Sequence, residues 1–336
     1  MNVDKSTYAG VWIFAEQRAG ELMSVVAELL GEGRLLADAL GEELCAVLLG
    51  SDVDPLVQDL FEWGADKVYN ANHPLLDSYN SDGYTKVISE MVGEYQPNII
   101  LMGATHIGRD LAPRVAARVT TGLTADCTVL AIDEETKNLL QTRPAFGGNL
   151  MATIICANHR PQMATVRSGA MSKSERTLGR KGEVVEVSAT LAASDIRVEK
   201  LGIVKAAKAA VLLTDADIIV SGGRGVDGVE GFDLIRKLAK VMGGEVGASR
   251  AAVDEGWISK EHQVGQTGTT VRPRIYVACG VSGAIQHLAG MQESDLIIAV
   301  NTDPDAPIFK VADYGIVGNV HQVIPEFIEA YRTATE

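Results

Sequence analysis

Between Gln263 and Met291 the chain reads QVGQTGTTVRPRIYVACGVSGAIQHLAGM, and this stretch constrains the fold more than any other. Its centre, Arg274 to Cys279, is a short apolar run with β-branched and aromatic residues, the pattern of a buried strand. Gly280, Ser282 and Gly283 follow at once, and AIQHLAGM then begins a helical pattern. A strand, a glycine turn and a helix start together leave backbone N–H groups free, the local geometry that receives an anion. Ahead of the strand, Gln263 to Thr270 is a second loop of Gly, Gln and Thr, too polar for a core segment. Two polar loops flanking one buried strand point to a ligand with several hydrogen-bonding groups and at least one phosphate.

The rest of the chain supplies the sheets around this pattern. Residues 11–16 (VWIFAE), 45–50 (CAVLLG), 67–69 and 98–105 (NIILMGAT) are strand-like. Helical patterns lie between them: Gly20 to Leu40, with Leu22, Val25, Val26, Leu29 and Leu30 on one face, then Pro55 to Trp63, Tyr84 to Tyr95 and Gly108 to Val119. After Thr121 helices drop out, and 125–132, 139–144, 151–157 and 162–168 are expected as strands of a β extension. Lys173 to Gly182 is expected as an exposed loop, with two more strands at 184–189 and 196–202. A boundary is expected near Lys205 to Lys208, giving an N-terminal, partner-contacting domain over 1–205 and a C-terminal domain over 206–336. The second domain opens with helix-like KAAKAAVLL. It continues with strands at 216–223, 244–249, 274–279, 296–301 and 314–318, and helices at 232–242, 250–255 and 323–332. The fold predicted is α/β, two domains, each a mostly parallel doubly wound sheet, the first with an added β extension.

Composition excludes several classes of function. At 336 residues, 46% hydrophobic and 22% charged, the chain can bury two cores. A net charge of -14 argues against a nucleic-acid or anionic-lipid surface, whereas a phosphate-bearing ligand needs only local donors. Cys45, Cys127, Cys156 and Cys279 are far apart, with no CxxC and no Cys/His cluster at zinc spacing, so no metal site is expected. No apolar run reaches membrane-spanning length, and Met1 to Gly10 lacks the apolar core of a signal peptide. A reducing, cytoplasmic home without membrane insertion is the expectation.

Chemistry collects at the ends of the second domain's strands. Ser221 to Gly225, Ser249 and Arg250, Gly280 to Gly283, Asn301 to Asp303 and Gly318 to Val320 each follow a predicted strand, and a parallel sheet sets all such ends along one edge. Arg224 and Arg250 either face a ligand there or make ordinary surface ion pairs. His287, four residues beyond Gly283, either faces the ligand or is a satisfied, partly buried histidine. Gly223, Gly225 and Gly228 spell G-x-G-x-x-G, but no acidic residue is placed for a ribose. A hydrolase reading would use Ser282, Asp303 and His321, yet Ala284 stands where a nucleophile elbow needs its second glycine, and no oxyanion loop is present.

Taken together, SGGRG (221–225), VGASRAAVDEGW (246–257), QVGQTG (263–268), GVSGAIQHLAGM (280–291) and NTDPDAPIF with ADYGIVGN (301–319) resemble the alpha subunit of electron-transfer flavoprotein, densely across the second domain. The segments around Arg143 to Gly148 and Asn158 to Met171 are more similar to alpha subunits of anaerobic and nitrogen-fixing bacteria than to mitochondrial ones. The resemblance implies a heterodimer with a beta subunit and one FAD held by the C-terminal domain. It also implies electron traffic between an acyl-CoA or other flavin dehydrogenase, or NADH, and acceptor partners, with electron bifurcation in some relatives. No nucleophile or general acid is needed. Carried over residue by residue, it places Arg224, Ser249, Arg250, Gln263, Val264, Gly265, Gln266 and Thr267 at FAD. It adds Ser282, Gly283, Ala284, Ile285, Gln286, His287, Asn301, Asp303, Asn319 and Val320. Arg250, Thr267 and His287 would tune the flavin, His287 as hydrogen-bond donor or cation near the pyrimidine oxygen. Two other classes stay open: an NAD-dependent enzyme on the same fold, and an adenine-nucleotide module built on Thr105, His106 and Gly108 of the first domain.

Overall fold

The alternation read from the apolar runs is present in both halves of the chain. The computed structural model describes residues 4–145, 150–202 and 213–335, in two compact units, Met1–Ile203 and Val204–Glu336. The expected linker at Lys205 to Lys208 and most of KAAKAAVLL lie outside the described residues.

In the first unit β1 (Val11–Phe14), β2 (Gln17–Arg18), β3 (Glu21–Leu22), α1 (Val25–Leu40), β4 (Leu44–Gly50), α2 (Val57–Glu62), β5 (Lys67–Asn72), α3 (Ser81–Tyr95), β6 (Ile99–Gly103) and α4 (His106–Arg118) come first. Then follow β7 (Leu123–Cys127), β8 (Val129–Ile132), β9 (Leu139–Ala145), β10 (Leu150–Ile155), β11 (Gln162–Val166) and β12 (Glu183–Glu186). Seven strands form one parallel sheet in the order β12-β5-β4-β1-β6-β11-β7. Its central strands are buried on both faces, so they read as unbroken apolar runs. Val11 and Ile13 pack toward α1 and α2, with Leu29, Leu30 and Leu60. Trp12 and Phe14 pack toward α3 and α4, with Tyr84, Ile88, Leu111 and Val115. Asn80 caps α3 through the N–H of Gly83, and Thr105 caps α4 through that of Gly108, each satisfying a first-turn donor.

Three expectations for the first unit need correction. The helix expected from Gly20 begins at Val25, because Ala19 and Gly20, both at positive φ, turn the β2–β3 hairpin. Of the strands assigned to the β extension, β7 and β11 join the main sheet, and only β8, β9 and β10 form a separate antiparallel sheet. The wholly buried β11 includes Gln162, whose amide accepts from the N–H of Leu139 and donates to Asn98; a satisfied polar residue in a core strand masks the apolar pattern. Residues 196–202 form no strand. This segment is a strap at the start of α3, tied by the Arg197–Asp82 ion pair to the helix and by Lys200–Asp77 to the turn before it, with Asp195 just ahead paired to Lys86 of α3. The loop expected at 173–182 is present, and Arg176 anchors it to Glu62 and Asp59 of α2.

The second unit contains β13 (Ile218–Gly222), α5 (Val229–Met242), β14 (Glu245–Ala248), α6 (Arg250–Asp254), β15 (Ile275–Cys279), α7 (Ile285–Leu288), β16 (Ile297–Asn301), β17 (Tyr314–Val317) and α8 (Val320–Thr335). Five strands in the order β14-β13-β15-β16-β17 are all parallel. One face packs on helices: Val220, Val277, Cys279 and Val300 meet Phe232, Ile235, Leu238, Ala252, Ile324 and Ile328. The opposite face is covered chiefly by loops, with Ile219, Tyr276, Ala278 and Ala299 meeting Val264, Val271, Val281, Met291, Ala306 and Ile308. The helix expected after Gly283 is a single turn, α7, because the chain beyond it closes on the preceding loop, with Gly290 against the Gly265 backbone and accepting from the N–H of Val271.

Phe232 is fully buried, and its ring fills the space above Gly222 at the end of β13. Phe232→Ala is expected to destabilise the second unit by about 3–5 kcal/mol, seen as a lower denaturation midpoint in urea.

Candidate functional site

The register of the second sheet determines where its functional groups go. Gly222 stands opposite both Ala248 and Cys279, Cys279 opposite Val300, and Asn301 opposite Val317. The carboxyl ends of all five strands are therefore level, and every turn singled out in the sequence leaves the sheet on one rim. The strand order reverses between β13 and β15, so the turns after Gly222 and Cys279 flank the topological switch point.

Those two turns touch main chain to main chain. The N–H of Gly223 donates to Cys279 O at 2.8 Å, and that of Gly225 to Gly280 O at 3.0 Å. A Cβ on Gly223 would collide with the Gly280 carbonyl, and one on Gly225 would lie 2.8 Å from Gly280 Cα. Gly223 and Gly225 of the G-x-G-x-x-G letters thus serve close packing of two turns. Gly283, at φ +85, has the Ile308 backbone where a side chain would go. Among the described residues the N–H groups of Ser282, Gly283 and Ala284 meet no backbone acceptor, which leaves an N–H-rich turn at the switch point.

The Gln263–Val271 loop is stitched to this turn. Val264 N–H donates to Ala248 O, Gln266 N–H to Gln286 O at 2.7 Å, and Val271 N–H to Gly290 O at 2.8 Å. Gln263, 4% exposed, donates from its amide to Thr267 Oγ1 at 2.9 Å and fixes that hydroxyl. Gly265, at φ +138, lets the loop pass over α7, where an added Cβ would lie 2.8 Å from Gln286 O. Val264 and Gly265 are buried, while Gln266, Thr267, Ser282, Ala284, Ile285 and Gln286 are exposed. The structure thus brings the two loops together as one surface.

His287 is only 6% exposed. Its Nε2 lies 3.0 Å from the hydroxyl of Tyr276, and its Nδ1 has no hydrogen-bond partner among the described residues. Burial pushes its pKa down to about 4, opposed by the backbone of Val264, so the imidazole is neutral at pH 7. Burial thus disfavours the cation, one of the two forms expected for His287.

The charged and amide candidates divide. Arg250 is exposed and pairs with Asp254 at 3.2 Å, an exposed i,i+4 contact worth little. Arg224 is exposed in a 3-10 turn and makes no ion pair among the described residues. Ser249 caps α6 by accepting from the N–H of Ala252. Asn301 donates to Val281 O at 2.9 Å and accepts from the N–H of Asp303 at 3.0 Å, so its side chain braces the glycine turn. Asp303 accepts from the N–H of Asp305, Asn319 from that of His321, and Val320 is buried beneath them. No hydrogen bond joins Ser282, Asp303 and His321 among the described residues, so the nucleophile-elbow reading finds no triad.

The equivalent rim of the first unit is filled by the chain itself. At the switch point between β1 and β6, Glu16 is 1% exposed. Its carboxylate accepts from Thr105 Oγ1 at the start of α4 and from Arg18. A buried carboxylate at the start of α4 disfavours a phosphate beside it, which weighs against a nucleotide module at Thr105, His106 and Gly108. No group of His, Cys, Asp and Glu suited to a metal occurs among the described residues. Cys45, Cys127 and Cys279 are buried free thiols, their pKa values pushed up to about 12 chiefly by burial.

Sequence reasoning missed Tyr276, treated as one more core residue. The available signal was its hydroxyl: a tyrosine inside a fully buried strand must send its O–H to a partner.

The depressed His287 pKa has a pH consequence. The unfolded imidazole takes up a proton near pH 6.5, the folded one only near pH 4, so this group's contribution to stability falls as pH drops through that window. In His287→Gln the stability lost between about pH 7 and about pH 4.5 should shrink by roughly 2 kcal/mol, read from denaturant unfolding at the two pH values.

The comparisons with known proteins point to one family. The family model described as "Electron transfer flavoprotein domain" matches residues 11–192, and "Electron transfer flavoprotein FAD-binding domain" matches residues 212–292, including both stitched loops. An electron transfer flavoprotein subunit alpha from Thermoanaerobacterium thermosaccharolyticum is 60% identical, over 96% of this chain and 97% of that protein. An acryloyl-CoA reductase electron transfer subunit beta from Anaerotignum propionicum is 48% identical, covering 98% of each. Protein FixB of Azotobacter vinelandii is 47% identical, over 96% of this chain and 91% of that protein. The residues fit the cofactor this family binds: an N–H-rich glycine turn for a diphosphate, a guanidinium at Arg224 with no ion pair among the described residues, and a buried imidazole with a nitrogen unpartnered among them, beside an exposed amide and hydroxyl loop. The chain belongs to the electron-transfer flavoprotein family as an alpha subunit, and its second unit carries the FAD-binding domain.

Proposed function

We propose that this chain pairs with an electron-transfer flavoprotein beta subunit, holds one FAD on the carboxyl rim of its second unit, and relays electrons from a dehydrogenase or NADH to acceptor proteins in the cytoplasm. The observation that carries this reading is the level rim of the β13–β17 sheet, with its glycine-packed switch point and the Gln263–Val271 loop tied across it. FAD brings the redox chemistry; the chain supplies binding, orientation and field. The turn at Ser282–Ala284 receives the diphosphate, Thr267 is held in place by Gln263, and His287 offers a hydrogen bond without bringing charge. Arg250, paired with an exposed carboxylate, can exchange Asp254 for the charge the flavin gains on reduction.

A dehydrogenase partner is supported by the relative named as an acryloyl-CoA reductase electron transfer subunit, 48% identical to this chain. A protein partner is supported by the three-stranded sheet of the first unit. Leu150, Met151, Ile154 and Ile155 of its edge strand β10 are all exposed, and an apolar edge strand needs a cover. Whether the complex splits electrons between two acceptors turns on its flavin content, which a visible spectrum of the purified heterodimer with stepwise dithionite reduction would count.

Two outcomes are expected. Arg250→Ala should keep FAD bound while the flavin's one-electron potentials fall by on the order of 100 mV, the scale of a unit charge a few ångströms away at an effective dielectric near 20. Unmoved potentials would assign Arg250 to its surface pair alone. Ile154→Asp should weaken association with the beta subunit by about tenfold or more in size-exclusion or titration measurements, with the monomer's melting unchanged. A heterodimer purified without yellow colour that rejects added FAD would falsify the reading as a whole.

A further inference from the structure

In the first unit, the groove between α3 and α4 ends in a recess of about 400 Å³ that two guanidinium groups share. One belongs to Arg118, the last residue of α4, and the other to Arg160, in the loop before β11. Lys86, Ser89 and Glu90 of α3 line the same recess, and Tyr8, Val92 and Val119 give it an apolar side. Arg160 is only 7% exposed. Its Nη1 donates to the carbonyls of Cys156 and His159, and its Nη2 to Asn138 Oδ1 at 3.0 Å. These neutral acceptors fix the plane of the guanidinium without cancelling its charge. Among the described residues Arg160 has no carboxylate partner and its Nε makes no hydrogen bond, while burial pulls its pKa below the usual arginine value. An arginine stays protonated all the same, so a buried charge is left without a counter-ion.

Arg118 is exposed and likewise makes no ion pair among the described residues. The neighbouring cations behave differently: Lys86 is spent on Asp195, Arg114 on Asp110 and Arg197 on Asp82. The chain has 44 acidic residues for 30 basic ones, so carboxylates are plentiful, yet none is set against this pair. The acidic residue that lines the recess, Glu90, lies 3.9 Å from Lys86 Nζ. The Ser89 hydroxyl is buried without a partner among the described residues. Arg118 also offsets the dipole at the end of α4, and Arg160 braces its own loop. Those roles account for each residue singly; they do not account for two uncancelled charges on one recess.

We propose that this recess binds a phosphate monoester, with the dianionic head between Arg118 and Arg160 and the apolar body against Tyr8, Val92 and Val119. Two guanidinium groups match the two charges of the head, and their planar N–H forks suit its oxygens. The recess is larger than a bare phosphate and falls within the size range of small-molecule sites, so the ligand is organic. The site lies wholly in the first unit and does not depend on the FAD reading.

The test is a phosphorus NMR titration of phenyl phosphate against the full chain, in its heterodimer with FAD bound, at fixed ionic strength. Saturable binding with a Kd of about 1 mM or tighter is expected. In Arg118→Gln, an exposed change that leaves melting unmoved, binding should weaken about tenfold or more. Arg160→Gln should weaken it at least as much. Inorganic phosphate should displace the probe, and benzoate, with the same ring and a single charge, about tenfold less well. No saturable binding up to about 10 mM overturns the inference. Binding that ignores Arg118→Gln overturns it too, since the phosphate then sits elsewhere in the complex. Displacement by benzoate as strong as by phosphate overturns the assignment to a dianion.

Discussion

The contact between the Gly223–Gly225 turn and the Gly280 turn is the constraint on which the second unit's chemistry depends. Two main chains can approach this closely only where the facing residues carry no side chain, and here the Gly223–Gly225 turn donates two hydrogen bonds to the carbonyls of Cys279 and Gly280 across the switch point. The closeness holds β13 and β15 level to their last residues, and the level ends put Ser249, Ser282, Asn301 and Asn319 on one rim. Three of those side chains are spent on the scaffold: Ser249 and Asn319 cap helices, and Asn301 braces the glycine turn. The groups left to meet a ligand are mostly main-chain N–H, with the hydroxyls of Ser282 and Thr267, one imidazole and two guanidinium groups near them.

The two units use one sheet architecture in opposite ways. In the first, the switch point holds the Glu16 carboxylate, bonded to the residue that caps α4, so the positive end of that helix is satisfied from within. In the second, the switch point holds glycines and unused N–H groups. A parallel sheet offers an anion position as a matter of geometry; whether it becomes a site depends on which residue follows the strand. A buried glutamate closes it and a glycine opens it.

How much of this was legible in the sequence depended on the range of the interaction. β4 and β6 are wholly buried apolar runs, and their periods name them at once. The rim was legible because each of its turns follows its own strand by one or two residues. What failed was set by distant partners. β7 and β11 were expected in a separate sheet because nothing near Leu123 or Gln162 says that both lie beyond β6. Residues 196–202 look like a strand, yet ion pairs to Asp82 in α3 and to Asp77 just before it hold them as a strap. The neutrality of His287 depends on burial under a loop, and the identity of its partner Tyr276 on a strand eleven residues away. Both are three-dimensional facts that no local pattern contains.

The uneven covering of the second sheet bears on how this unit opens. One face is clamped by α5 and α8, helices of 14 and 16 residues, while the other is held by loops and the single turn α7. Loops tied by a few main-chain bonds can detach while the helical side stays intact, so amides of residues 264–271 should exchange with solvent ahead of those in α5. The binding rim is then its own cooperative unit, with a lower opening free energy than the body that carries it. A ligand gripping both loops would raise that energy selectively, making cofactor retention a local stability separate from that of the fold.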